Sequence, residues 1–295
     1  DFSSVPYWKL SAMTEKEGIS LKADSTTDYE NEASAQTALA ALRSQSRLKV
    51  ESVTRKVGCT PPPLLYDLTA LQKDANRRYG FSADKTLQIA QSLYEKKITT
   101  YPRTGSRYIS EDVFEEILAL LSKIGETLPT PLNRHSVDNA KVTDHHAIIP
   151  TGETPSDLST DEATIYNMVV TRFVEAFSPD SEEERMQVEL TGGTNTFTWK
   201  ACRPISLGWK AVQNETKEGK SEDEEQDLAM LPDLKEGEEL PLLSSEITEH
   251  KTKPKPLYTE ASLLSAMEHA DKEVEEADKR KAMAECGIGT PATRA

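Results

Sequence analysis

Cysteine is scarce. Cys59, Cys202 and Cys286 are the three in 295 residues, far apart and without a Cys-x-x-Cys pair. An odd, scattered set argues against a disulfide framework and against a zinc ribbon, and it fits a reducing cytoplasm. Long apolar runs are also missing: no stretch approaches the ~20 residues of a membrane span. The opening Asp-Phe-Ser-Ser has neither the basic region nor the apolar core of a signal peptide. Positive charge is the third deficit. Lys and Arg number 35 against 50 Asp and Glu, a net charge of −15. A field of that sign repels a polyanion, so composition alone argues against a nucleic-acid partner.

The charge is segregated, however. Glu215 to Asp227 and Ser181 to Glu184 are acidic and read as solvated surface or linker. Arg77, Arg78, Lys96, Lys97, Arg103 and Arg107 instead gather around one stretch, residues 98–108. Hydrophobic residues make up 36% and charged residues 29%, and the length suffices for two or three domains.

Residues 5–57 read as β-β-α-β. Pro6–Leu10 and Ile19–Lys22 alternate as strands, Ser34–Leu42 is an Ala-rich helix, and Leu48–Val53 alternates again. The apolar positions are too few to close a core without further strands. Pro61-Pro62-Pro63 marks a boundary, after which the period turns helical. Leu64, Leu65, Leu68 and Leu71 fit one helix ending near Gly80. Ser82 caps a second, with Leu87, Ala90, Leu93 and Tyr94 on one face. Ser110 starts a third, striped by Val113, Phe114, Ile117, Leu118 and Leu121. Ser159 and Glu162 form a capping box before a long helix that Pro179 ends. Strands return at Met186–Leu190, Thr196–Ala201, Trp209–Val212 and Glu239–Ile247, with a Gly192-Gly193 turn. Thr259 caps a further helix, Glu273–Glu285 forms another, and Thr290-Pro291 has the form of a helix start.

The stretch Ile98-Thr-Thr-Tyr101-Pro-Arg103-Thr-Gly-Ser-Arg107-Tyr108 carries the chemistry. Pro102 pushes Tyr101 into an extended conformation, in which residues i and i+2 share a face. A phenol beside a permanent forked cation suits a phosphodiester, the phenol attacking and the guanidinium neutralising phosphate charge. A Tyr-x-Arg triplet alone is ordinarily a strand tyrosine beside a surface arginine. About forty residues on comes Asp144-His145-His146-Ala-Ile-Ile-Pro-Thr151. Adjacent histidines in a strand face opposite ways and bind one ion poorly, so zinc is disfavoured.

These two motifs, with Glu285-Cys-Gly-Ile-Gly-Thr290-Pro-Ala-Thr-Arg294-Ala295, closely resemble the type IA DNA topoisomerases in order and spacing, most nearly the topoisomerase III branch. The resemblance covers essentially the whole chain. It implies an α+β, multidomain fold: a β-rich arch domain (1–58 and 185–256), interrupted by a helical domain carrying the tyrosine (59–184), then the start of a helical groove domain (257–295). It also implies ATP-independent cleavage of single-stranded DNA through a 5′-phosphotyrosine link, with strand passage and resealing. Tyr101 then matches the nucleophile, Arg103 the oxyanion stabiliser and His145 the phosphate contact, with Arg107 beside them on DNA. Thr290 and Arg294 read equally as backbone contacts or as solvated helix-start residues.

The family's Mg²⁺-binding acidic domain has no match in these residues. The resemblance therefore implies a fragment without metal ligands, inactive alone, from a cytoplasmic enzyme with no membrane and with room for a helicase partner. Many relatives carry Asp where this chain has Gly105. Three rivals remain: a tyrosine recombinase, which places Arg and His before a late Tyr; a non-catalytic scaffold; and a His-dependent metal hydrolase.

Overall fold

The structure, a computed structural model, describes residues 2–216, 231–273, 287–290 and 293–294. The acidic run from residue 217 onward, Cys286 and all but the first residue of the helix expected over Glu273–Glu285 lie outside them. Packing divides the chain into two compact units. One comprises Asp1–Cys59, Glu182–Ser206 and Glu218–Pro256; the other comprises Thr60–Ser181, Leu207–Lys217 and Leu257–Ala295.

Among the described residues the first unit is one seven-stranded sheet with a single helix. Its strands are β1 (Pro6–Lys16), β2 (Ile19–Ser25), β3 (Arg47–Thr60), β4 (Ser181–Gly192), β5 (Asn195–Ser206), β6 (Glu239–Pro241) and β7 (Ser244–Lys251), in the order β6-β3-β4-β5-β2-β1-β7. Alternation explains which face is buried. In β2, Leu21, Ala23 and Ser25 point inward while Ser20, Lys22 and Asp24 face solvent. The antiparallel register sets Ala23 opposite Ala12 and Leu21 opposite Thr14. The stretch expected as one strand from Glu239 to Ile247 is two. Leu242 and Leu243 separate β6, paired with β3, from β7, paired with β1. The Leu242 amide donates to Ser46 O and the Leu243 amide to Met13 O. The two edge strands are thus two residues apart in sequence, so the sheet curls until its ends meet.

Helix α1 (Glu32–Gln45) covers the core of this sheet. Asn31 caps it by accepting from the Ser34 amide, and Ala35, Ala38, Leu39 and Leu42 form its buried stripe. Each fully buried leucine contributes about 1.5–3 kcal/mol. The β4–β5 turn passes directly beneath. A Cβ on Gly193, at φ +63°, would stand 3.2 Å from the backbone of Ala41 and Leu42, and the Gly193 amide donates to Gln45 Oε1 at 2.9 Å. The acidic set Ser181–Glu184, expected as solvated surface or linker, belongs to β4. Glu183 pairs with Arg185, and Glu184 with Arg55 and Arg203.

The second unit is helical. Helices α2 (Leu68–Tyr79), α3 (Ala83–Glu95) and α6 (Thr160–Phe177) enclose a core of Leu71, Ala75, Ala90, Leu93, Ile165 and Val169. Phe173 and Phe177, further along α6, enter a second core with Ile117, Leu121 and Ile149. The stripe from Val113 to Leu121 is two helices, α4 (Glu111–Glu115) and α5 (Ile117–Lys123), broken at Glu116. The first helix expected after the prolines begins only at Leu68, capped by Asp67. Leu64 to Tyr66 stay extended, and Tyr66 bridges to Ile148. Trp209–Val212, expected as a strand, opens helix α7 (Lys210–Thr216). The Lys210, Ala211 and Val212 amides donate to carbonyls three residues back instead of to a strand. Helix α8 (Glu260–Glu268) is capped by Thr259 as expected and packs on α2, where Lys73 Nζ meets Glu268 at 2.7 Å.

The capping box of α6 reaches further than its own helix. Glu162 accepts from the Ser159 amide, from Ser92 Oγ at 2.7 Å and from Lys96 Nζ at 2.8 Å. It therefore joins the start of α6 to the end of α3. Those contacts draw its carboxyl from the ordinary 4.5 down to about 2, the Lys96 hydrogen bond being the largest cause.

Two outcomes follow from this packing. Gly193→Ala should destabilise the protein by about 1–2 kcal/mol in urea denaturation, because a left-handed residue gains a Cβ against α1. Glu162 is more acidic folded than unfolded, so its stabilisation is complete above its ordinary value. It disappears as pH falls from about 5 toward 2. Urea midpoints measured across that range should fall less steeply in Glu162→Gln than in the parent.

Candidate active site

Three irregular segments, residues 64–68, 98–108 and 145–151, meet at the C-terminal end of α3 and are tied by backbone and threonine hydrogen bonds. The Thr100 amide donates to Ile149 O at 2.9 Å, and the Ile149 amide returns a bond to Thr100 Oγ1 at 3.0 Å. Thr151 N donates to Ile98 O, Ala147 N to Tyr108 O and Ile148 N to Tyr66 O, all within 3.1 Å. Thr104 holds both neighbours: its hydroxyl donates to His145 O at 3.0 Å and its carbonyl accepts from the Leu68 amide at 3.1 Å. The buried backbone of a loop is satisfied by other loops instead of by a sheet. Pro102, Thr104 and Ser106 are buried; Tyr101 is half-buried; Arg103, Gly105 and His145 are exposed.

This framework stacks three rings. The Tyr101 centroid lies 4.5 Å from that of His145, tilted by 47°, and 5.3 Å from that of Tyr94, edge-on at 78°. Tyr101 and His145, forty-four residues apart, are thus adjacent. Among the described residues the Tyr101 hydroxyl, the Arg103 guanidinium and the His145 ring nitrogens have no hydrogen-bonding or ion-pair partner, so all three groups are available to a ligand. His146 is turned away from this role, its Nδ1 lying 2.7 Å from Ala147 O.

Two arginines brace the framework from behind. Arg107, half-buried, donates from Nε to Leu65 O at 3.1 Å and from an Nη to Leu64 O at 3.3 Å. Arg172 on α6 is almost wholly buried. It pairs with Asp74 at 2.8 Å and Glu175 at 3.0 Å, donates to Leu64 O, and lies 4.0 Å over the Tyr66 ring. The Tyr66 hydroxyl completes the set by donating to Asp74 Oδ2 at 2.9 Å. Burial pushes the Tyr66 phenol and the Asp67 carboxyl up from their ordinary values, and the Arg107 charge partly offsets the shift at Asp67.

Thr290 is exposed and starts a single turn: its carbonyl accepts from the Thr293 and Arg294 amides. The Arg294 side chain folds back, Nε donating to Ile288 O at 2.7 Å and an Nη lying 3.5 Å from Glu268. Sequence reasoning placed Tyr94 on the buried face of α3, yet it is 41% exposed, because the last turn of that helix overhangs the connector. It also passed over the Arg172–Asp74–Glu175 set, whose members lie 98 and 3 residues apart. The threonine hydroxyls at 100 and 104 were the one local signal of the inter-loop ties. Among the described residues no group of three His, Cys, Asp or Glu could hold a metal ion, and no helix is long and apolar enough to cross a membrane.

Known proteins resemble the chain along its length. The DNA topoisomerase profile of bacterial enzymes matches residues 1–295. DNA topoisomerase 3 of Shouchella clausii is 38% identical over 270 residues, covering 85% of this chain and 36% of that protein. The enzyme of the same name from Bacillus subtilis is 39% identical over 250 residues, 79% of this chain and 34% of its own. That of Bacillus licheniformis is 37% identical along 100% of this chain and 43% of its own. Full-length topoisomerase I from Thermotoga maritima superimposes with a TM-score of 0.70 at 27% identity, over 100% of this chain and 46% of that one. The chain therefore spans less than half the length of these relatives. With a family match along its whole length, relatives above 35% identity and a curled antiparallel sheet, the chain belongs to the type IA DNA topoisomerase family.

Proposed function

We propose that the whole protein containing this chain is an ATP-independent topoisomerase that cuts single-stranded DNA through Tyr101. The carrying observation is the meeting of Tyr101 and His145 at 4.5 Å on a framework that leaves both, and exposed Arg103, without hydrogen-bonding or ion-pair partners among the described residues. The Tyr101 oxygen attacks a phosphodiester phosphorus. The new O–P bond replaces the bond from phosphorus to the 3′ oxygen, the phenol loses its proton, and the departing 3′ oxygen gains one. One phosphoester is exchanged for another, so resealing is the same step reversed and needs no nucleotide. Arg103 neutralises charge that grows on the non-bridging oxygens, and the His145 imidazole donates to one of them or relays the proton.

Arg107 would support this chemistry chiefly by holding the connector, with any DNA contact made alongside its bonds to Leu64 and Leu65. Thr290 and Arg294 would contribute backbone contacts at the start of a groove for the strand. Between cutting and sealing, motion of the β-rich arch would part the ends for strand passage, as relaxation or decatenation. The family is consistent with a Mg²⁺ requirement, but the described residues do not fit such a site. No step above passes through a metal, and its ligands are proposed to lie in the rest of the protein. A cytoplasmic setting suits the cysteine usage, and a helicase is a fitting partner for an enzyme that needs single strands.

The test is covalent trapping with the whole protein. An oligonucleotide labelled at its 3′ end is incubated with enzyme and denatured; the label should migrate with the protein. Tyr101→Phe should abolish the adduct, and Arg103→Ala should slow its formation by about 10²–10³-fold. An adduct that persists in Tyr101→Phe would overturn the assignment, and a scaffold would give none in the parent.

A further inference from the structure

Tyr94 has no role in the chemistry above, yet it is the third ring of the cluster. It stands in the last turn of α3, one residue before the helix ends at Glu95. Its centroid is 5.3 Å from that of Tyr101, and 41% of the residue is exposed. An edge-on neighbour at 78° can cover at most one face of a ring, so Tyr94 keeps apolar surface in solvent immediately beside the attacking phenol. A tyrosine recruited only to pack a helix end would be buried like Leu93, which is 1% exposed. Its hydroxyl also lacks a hydrogen-bonding partner among the described residues, so nothing polar accounts for its position. Lys97, three residues on, is exposed and held at φ +63°, which adds a cation to the same turn.

An exposed aromatic within one ring's width of a group that attacks phosphate has the geometry of a stacking platform. Such stacking tolerates any base, because every base has a π-face. We propose that Tyr94 is a nucleobase-binding residue of the cleavage site, stacking one base of the strand next to the scissile phosphate and so fixing which phosphate meets Tyr101. The inference rests on the single-strand cleavage reading for its ligand, but its test needs no cleavage.

The experiment uses the whole protein carrying Tyr101→Phe and reads equilibrium affinity for single-stranded oligonucleotides by fluorescence anisotropy. An abasic residue is walked along the strand one position at a time. With Tyr94 present, one position should weaken binding by about 5- to 100-fold. Tyr94→Leu should weaken the unmodified strand by a similar factor and make that position silent. Tyr94→Phe and Tyr94→Trp, which keep a π-face, should retain the abasic penalty, and they carry the test should the leucine variant fold poorly. An abasic profile unchanged between Tyr94 and Tyr94→Leu, or a penalty that disappears equally in Tyr94→Phe and Tyr94→Trp, overturns the inference. Covalent trapping with Tyr101 intact is scored separately, so failure of transesterification and failure of stacking give different results.

Discussion

The geometry of the candidate site depends on one constraint: three segments without regular structure must satisfy their backbones from one another. Thr104 is the node. Through its hydroxyl it fixes the carbonyl of His145, and through its own carbonyl it accepts the first helical amide of α2. Thr100 does the same for Ile149 and Ala147. Each bond contributes only about 1 kcal/mol net, but a buried donor left unpaired costs more than a made bond gains. The segments are therefore locked as a set, and the Tyr101 and His145 rings are held by backbones that cannot drift independently.

Behind the loops, the helical unit supplies rigidity with charge. Arg172 takes part in two carboxylate pairs, a carbonyl contact and a cation–π contact with Tyr66. Removing one partner of such a buried set strands the others, typically at about 3–5 kcal/mol. Glu162 acts similarly at the opposite end of α6, binding α3 where it delivers the chain to the tyrosine. The long helix α6 reaches both places. The β-rich unit is built differently, by period-2 alternation and a close helix–turn approach at Gly193.

Much of this could be read locally. The β-β-α-β opening, the Ser82, Ser159 and Thr259 caps, and the Gly192-Gly193 turn are short-range signals, and the elements formed where they pointed. The failures have two causes. Tyr66, following Leu64 and Leu65 at helical spacing, bridges to Ile148, and Glu239–Ile247 changes partners midway, so the deciding hydrogen bonds lay dozens to hundreds of residues away, where periodicity carries no information. Trp209–Val212 alternates over too few residues to outweigh the local bonds that turn it into a helix.

The same division holds for the site. Tyr101, Arg103 and His145 could be singled out as candidates from residue type and motif order, because a phenol, a forked cation and an imidazole are chemically legible without coordinates. Their adjacency was not. Only the folded chain brings Tyr101 against His145, exposes Tyr94 beside them and commits Arg107 to carbonyls, because these arrangements arise from contacts between segments that the order of residues does not specify.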